Sequence, residues 1–199
     1  VSKGHGIAGL KTNTVMFGYS GSVEENANQL RIIRDLAHIG KSIILVKFNN
    51  HEAWKEPAHN RIDIWWSGRE RNGDLMLILA YMLQLNKDWK KAQLRIRLVV
   101  NNQQEKIVLL HDVQQSLKKA RIVAEVDVLL KQEENFTDII RRESVATDIV
   151  FLGLKNVEPG GELAQAEKLE ELSAEGKMIV FVQNNSVPEG LPVLLKKAE

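Results

Sequence analysis

The chain has 199 residues, 44% of them hydrophobic and 27% charged, with a formal net charge of +1. That length buries enough apolar surface for one α/β domain, or at most two small lobes, without staples. The near-zero charge gives no electrostatic case for nucleic acid, and the absence of cysteine excludes disulfides, thiolate metal sites and cysteine nucleophiles.

A cysteine-free chain suits a reducing compartment. The longest apolar run, Leu75 to Leu83, is far short of the roughly 20 residues a membrane helix needs. The start, Val1-Ser-Lys-Gly-His-Gly, lacks the apolar core of a signal peptide. Val1 stands where an initiator methionine would, which fits a piece of a larger protein.

Strands and helices alternate along the chain. Thr14 to Tyr19 is β-prone, and Ser22 with Glu25 three residues on makes a capping-box spacing for a helix over Val23 to His38. Leu30, Ile33, Leu36 and Ala37 recur there at helical spacing, and Gly40 ends the helix. Ser42 to Phe48 is a continuous apolar run of the kind found in strands buried on both faces. Asn49 to Asn60, with two His, two Glu and Pro57, reads as a loop. The remaining expectations are strand Ile62–Trp66, helix Asp74–Leu85, strand Gln93–Val100, helix Glu105–Arg121 and strand Glu125–Leu130. A short helix around Thr137 to Glu143, strand Asp148–Leu154, helix Glu162–Glu175, strand Met178–Gln183 and a Pro- and Gly-containing tail complete the chain. Repetition at this spacing predicts βαβ units and a mainly parallel sheet with helices on both faces.

Arg95 and Arg97 alternate with apolar residues in one strand, as Glu125 and Asp127 do in the next. Successive strands are usually neighbours. The expectation is a paired ladder with opposite charges on one partly solvated face.

The candidate chemistry is thin. His51, Glu52, Glu56 and His59 suggest a metal site, but the spacing is not His-Glu-x-x-His and Pro57 breaks any helix that would align them. Gly18, Ser20, Gly21 and Ser22 lie between a strand and a helix N-terminus, where amides favour an anion. They form the candidate nucleotide loop, against an ordinary turn with a capping box. Neither the Lys of a Walker loop nor Gly-x-Gly-x-x-Gly spacing is present. At Asn72-Gly73 and Pro159-Gly160-Gly161, the following Asp74 and Glu162 would repel a phosphate, so structural turns are expected. Asp63, flanked by Ile62 and Ile64, reads as a buried hydrogen-bonded carboxylate, with Arg61 and Trp65 on its side of the strand. Asn86 to Lys91 mixes cations with Trp89, a composition suited to a membrane interface and equally to a helix C-terminus whose tryptophan closes the core. No nucleophile or acid–base pair can be assembled.

Arg61 to Leu130 resembles the cytoplasmic C-terminal domain of the cation-chloride cotransporters. The matching pieces are Ile62-Asp63-Ile64-Trp65-Trp66, Asp74 to Leu79 with Tyr81-Met82-Leu83, Trp89-Lys90-Lys91, Leu94-Arg95-Ile96-Arg97 and Ala120 to Val126. Leu10 to Gly18 looks like the family's entry into its first cytoplasmic strand, with Thr12 where a proline is usual. Asp148 to Gln183 corresponds more weakly.

The resemblance implies a fold similar to universal stress proteins and a domain that dimerises and regulates a membrane symporter. It also implies a covalently attached transmembrane domain outside this chain, a place at the cytoplasmic face of the cell membrane, and no catalysis. Asp63, Trp65, Trp66, Trp89, Arg95 and Arg97 carry the family pattern structurally. The short Asn49–Asn60 connection fits a compact, prokaryotic-type member, so phosphoregulation does not carry over. The rival expectation is a soluble nucleotide-sensing module of the stress-protein type holding ATP, and the weakest is a small hydrolase or transferase.

Overall fold

The computed structural model describes residues 13–19, 21–49, 60–67, 72–174 and 177–185. Among them, strands and helices follow in the order β1 (Thr14–Gly18), α1 (Val23–His38), β2 (Ser42–Phe48), β3 (Arg61–Trp65), α2 (Asn72–Gln84) and β4 (Gln93–Val100). Then come α3 (Gln103–Ala120), β5 (Glu125–Leu130), α4 (Phe136–Ser144), β6 (Ile149–Gly153), α5 (Glu162–Leu172) and β7 (Met178–Gln183).

The strands form one sheet in the order β1-β2-β7-β6-β3-β4-β5. All pairings are parallel except β2 with β7. The sheet is therefore two blocks. Five parallel strands, β7-β6-β3-β4-β5, are extended by β1 and β2, which run the other way. Within the larger block the strand order reverses between β3 and β6, the place where open α/β sheets form a crevice beyond their strand ends.

Alternation along each strand divides the core between two faces. Ile62, Ile64, Leu94, Ile96 and Phe151 pack beneath α2 and α3, against Met76, Leu77, Ala80, Val113 and Leu117. Ile43, Leu45, Val150, Leu152 and Phe181 face Leu30 and Ile33 of α1, Ile139 and Ile140 of α4, and Ala166 and Leu169 of α5. This is the α/β arrangement expected, with helices on both faces. Tyr19, just past β1, is buried and donates its hydroxyl to the Ala166 carbonyl at 3.0 Å. Burial, and then the Glu170 carboxylate, push its phenol up to about 12, so it stays a neutral donor.

Side-chain caps set several helix ends. Ser22 and Glu25 complete the capping box of α1. Asn135 accepts from the Asp138 amide and starts α4 one residue before the expected Thr137. Helix α5 stops at Leu172, short of the expected Glu175, and Ser173 Oγ there donates to the Leu169 carbonyl beside its own amide. That hydroxyl competes with the helical ladder.

Candidate functional site

The register of β3, β4 and β5 puts Asp63 beside Arg95 and Trp65 beside Arg97, then Arg95 beside Glu125 and Arg97 beside Asp127. Asp63, Trp65 and Arg97 reach side chains of α4. Asp63 is fully buried. Arg95 grips it as a fork, Nε to Oδ1 at 2.7 Å and Nη2 to Oδ2 at 2.8 Å. Ser144 and Thr147 donate their hydroxyls to Oδ2 at 2.7 and 2.9 Å. Arg97 Nε stands 3.4 Å from the same oxygen.

The cluster continues outward. Trp65 Nε1 donates to Ser144 Oγ at 3.0 Å, and Arg95 Nη2 donates to Thr147 Oγ1 at 2.9 Å. Arg97 Nη1 donates to Glu143 at 2.8 Å and lies 3.6 Å from Asp127. The Trp65 ring has the Arg97 guanidinium 5.8 Å from its centroid and meets Phe136 edge-on. Burial pushes the Glu143 carboxyl up, but hydrogen bonds from Arg142 and Arg97 outweigh it and hold the group below the ordinary carboxylate range.

The paired ladder is real, but the expectation of a partly solvated face is corrected. Arg95 and Arg97 are buried, because the end of α4 covers them and Asp63 draws both inward. Glu125 bonds Gln93 rather than Arg95, at the open edge. Asp63 takes its cation from the neighbouring strand, not from Arg61 on its own.

Two further nodes bind the same strands. Asp148 Oδ2 accepts from the amides of Asn60 and Arg61 at 2.7 and 2.9 Å, and its Oδ1 accepts from Lys177 Nζ at 2.9 Å. Burial raises this carboxyl, yet the Lys177 hydrogen bond and the two amides prevail and hold it below its usual range. At the other end of the block, Asn72 Oδ1 accepts from the Asn184 amide at 2.8 Å and its Nδ2 donates to the Leu154 carbonyl at 3.3 Å. Trp66 lies so close to Gly73 that a Cβ there would sit 2.5 Å from Trp66 Nε1. Asn72 and Trp66 therefore occupy space at the reversal between β3 and β6. Trp66 Nε1 is buried and has no hydrogen-bond partner among the described residues.

Of the residues singled out by sequence, Asp63, Trp65, Arg95 and Arg97 come together in one cluster. Trp66 lies past the end of β3, and Trp89 is buried in the core on the opposite face, closing it as the core reading expected. Gly18, Gly21 and Ser22 lie far from the cluster. Because β1 runs against the larger block, they sit at the sheet end opposite the reversal. Glu25 Oε2 takes the Ser22 amide there at 2.8 Å, and Ser20 lies outside the described residues. So do His51, Glu52, Glu56 and His59; among the described residues, no group of three or more His, Asp or Glu could hold a metal. Glu143, Ser144, Thr147, Asp148 and Asn72 were not singled out by sequence as site residues. Their partners on β3, β4 and the segment after β7 lie 46 to 112 residues away, and the local hint was a run of small polar residues beside the apolar strand β6.

No family model matches the chain. A 96-residue stretch, 46% of the chain, is 30% identical to potassium/chloride cotransporter 3 of Caenorhabditis elegans and spans 9% of that protein. In structure, the chain is similar to the cytoplasmic domain of a prokaryotic cation chloride cotransporter. The TM-score is 0.61 and the identity 16%, covering 86% of this chain and 64% of that one. It is also similar to a universal stress protein from Archaeoglobus fulgidus DSM 4304, with a TM-score of 0.53 and 14% identity over 87% of this chain and 62% of that one. The α/β fold is thus of universal-stress-protein type. The chain resembles a cation-chloride cotransporter in sequence and the cytoplasmic domain of one in fold. No helix among the described residues is long and apolar enough to cross a membrane.

Proposed function

We propose that this chain is a cytoplasmic regulatory and dimerisation domain of a cation:chloride symporter, modulating coupled chloride and cation transport by a membrane domain outside it. The observation that carries this reading is the double likeness, in sequence to a potassium/chloride cotransporter and in fold to a cotransporter's cytoplasmic domain. The cluster supports a structural role over a catalytic one: both oxygens of Asp63 are taken up by donors from β4 and from the end of α4. Self-association would act on transport by favouring one arrangement of the attached membrane helices, which requires contacts that differ between states. Light scattering over a concentration series tests the dimerisation step. The expected result is a mass rising to twice that of the chain, and a strict monomer at the highest concentration counts against it.

The alternative is a nucleotide-sensing module, favoured only by the stress-protein fold and the glycines and serine Gly18, Gly21 and Ser22 ahead of α1. The Glu25 carboxylate at that helix start repels a phosphate there. Calorimetric titration with ATP and ADP separates the readings, with no heat expected.

A further inference from the structure

Two connections at one end of the sheet lie side by side, because the strands they lead into, β4 and β5, are parallel neighbours. The first, between α2 and β4, carries Lys87, Lys90 and Lys91; the second, from the last turn of α3 into β5, carries Lys118, Lys119 and Arg121. All six are exposed. Within these two connections Asp88 and Glu125 oppose them, so the two segments together carry an excess of four positive charges in a chain whose net charge is +1.

Each connection also presents a large apolar residue with nothing packed over most of it: Leu85 is 68% exposed and Val123 is 90% exposed. Met82 and Tyr81 extend this apolar strip along α2. The helix dipole accounts for Lys118 and Lys119 in the last turn of α3. It does not account for three lysines past the end of α2, nor for exposed Val123. Trp89, the aromatic of the first connection, is buried and leaves the contact to Leu85 and the lysines.

We infer that this end of the domain docks on an anionic phospholipid surface. The cations match the negative surface potential of such a leaflet, and Leu85 and Val123 enter the headgroup boundary as apolar residues of interfacial segments do. The apolar pair favours a lipid surface over nucleic acid, which would leave it unused. This inference does not depend on whether the chain is part of a symporter, since the chain itself is the binder.

The test is co-sedimentation of the chain with phosphatidylcholine vesicles, with and without about 30 mol % phosphatidylserine. The expected result is binding to the serine-containing vesicles alone, abolished at about 0.5 M salt. Lys87→Glu, Lys90→Glu and Lys91→Glu combined should raise the apparent Kd about tenfold or more. The same three positions changed to Arg should keep binding, which separates charge from loss of fold. Leu85→Ser with Val123→Ser should weaken it several-fold. Equal binding with and without phosphatidylserine, no binding to either, or indifference to charge reversal overturns the inference. Equally tight, Leu85-independent binding to a short DNA duplex overturns it as well, by showing a general polyanion surface.

Discussion

Asp63 is the residue on which the cluster turns, since Arg95, Arg97, Ser144 and Thr147 all converge on it. Its loss would leave the buried Arg95 guanidinium without a carboxylate, while Arg97 would keep Glu143. Asp63→Ala is expected to cost roughly 3–5 kcal/mol in denaturant unfolding, and a change under about 1 kcal/mol would show the cluster to be incidental. The adjacent tryptophans should differ. Trp65→Phe removes a buried hydrogen bond to Ser144 and should cost about 1–2 kcal/mol more than Trp66→Phe, whose Nε1 has no partner among the described residues. At Asp148 the native carboxyl is held below its ordinary range. Its contribution is therefore present above the unfolded-chain value near pH 4 and is lost as pH falls through the depressed native value. Asp148→Asn should lower stability at pH 7 and flatten the acid limb of the stability curve; an unchanged slope would assign that limb to other carboxylates, such as Glu143.

Among elements, those with strong local signals were legible. Strands β2, β4, β5 and β7 and helix α1 run over the residues expected from apolar runs, flanking turns and the Ser22–Glu25 box. The pairing of β4 with β5 followed from chain order. The side of the sheet that α4 covers was not legible. The end of α4 and the turn after it reach β3 through hydroxyls on Ser144 and Thr147, which nothing local distinguishes from surface polar residues. The antiparallel join of β2 to β7 was also hidden, because strand direction across a long connection leaves no local trace. The Asp63 pattern could be read as buried and paired, but its partner belongs to a strand 32 residues on. Packing beyond the end of β3 gives an element-scale prediction. Gly73→Ala puts a methyl against the Trp66 indole and should cost about 1–3 kcal/mol, measured by thermal unfolding, with Gly73→Ala in a Trp66→Ala background largely free of the clash.

For the molecule as a whole, the edge of the parallel block at β7 is closed from within by β2, so the sheet's outer strands are β1 and β5. Among the described residues, self-association by strand pairing would use β1 or β5. Wild-type protein and the Asp63→Ala variant also provide the means to ask whether the domain governs transport. The most direct measurement is chloride-dependent cation uptake by cells expressing the complete reading frame that contains this chain. The symporter reading predicts uptake of the cation only when chloride is present, altered by Asp63→Ala at unchanged membrane abundance. A reading frame that yields no chloride-dependent uptake would contradict it.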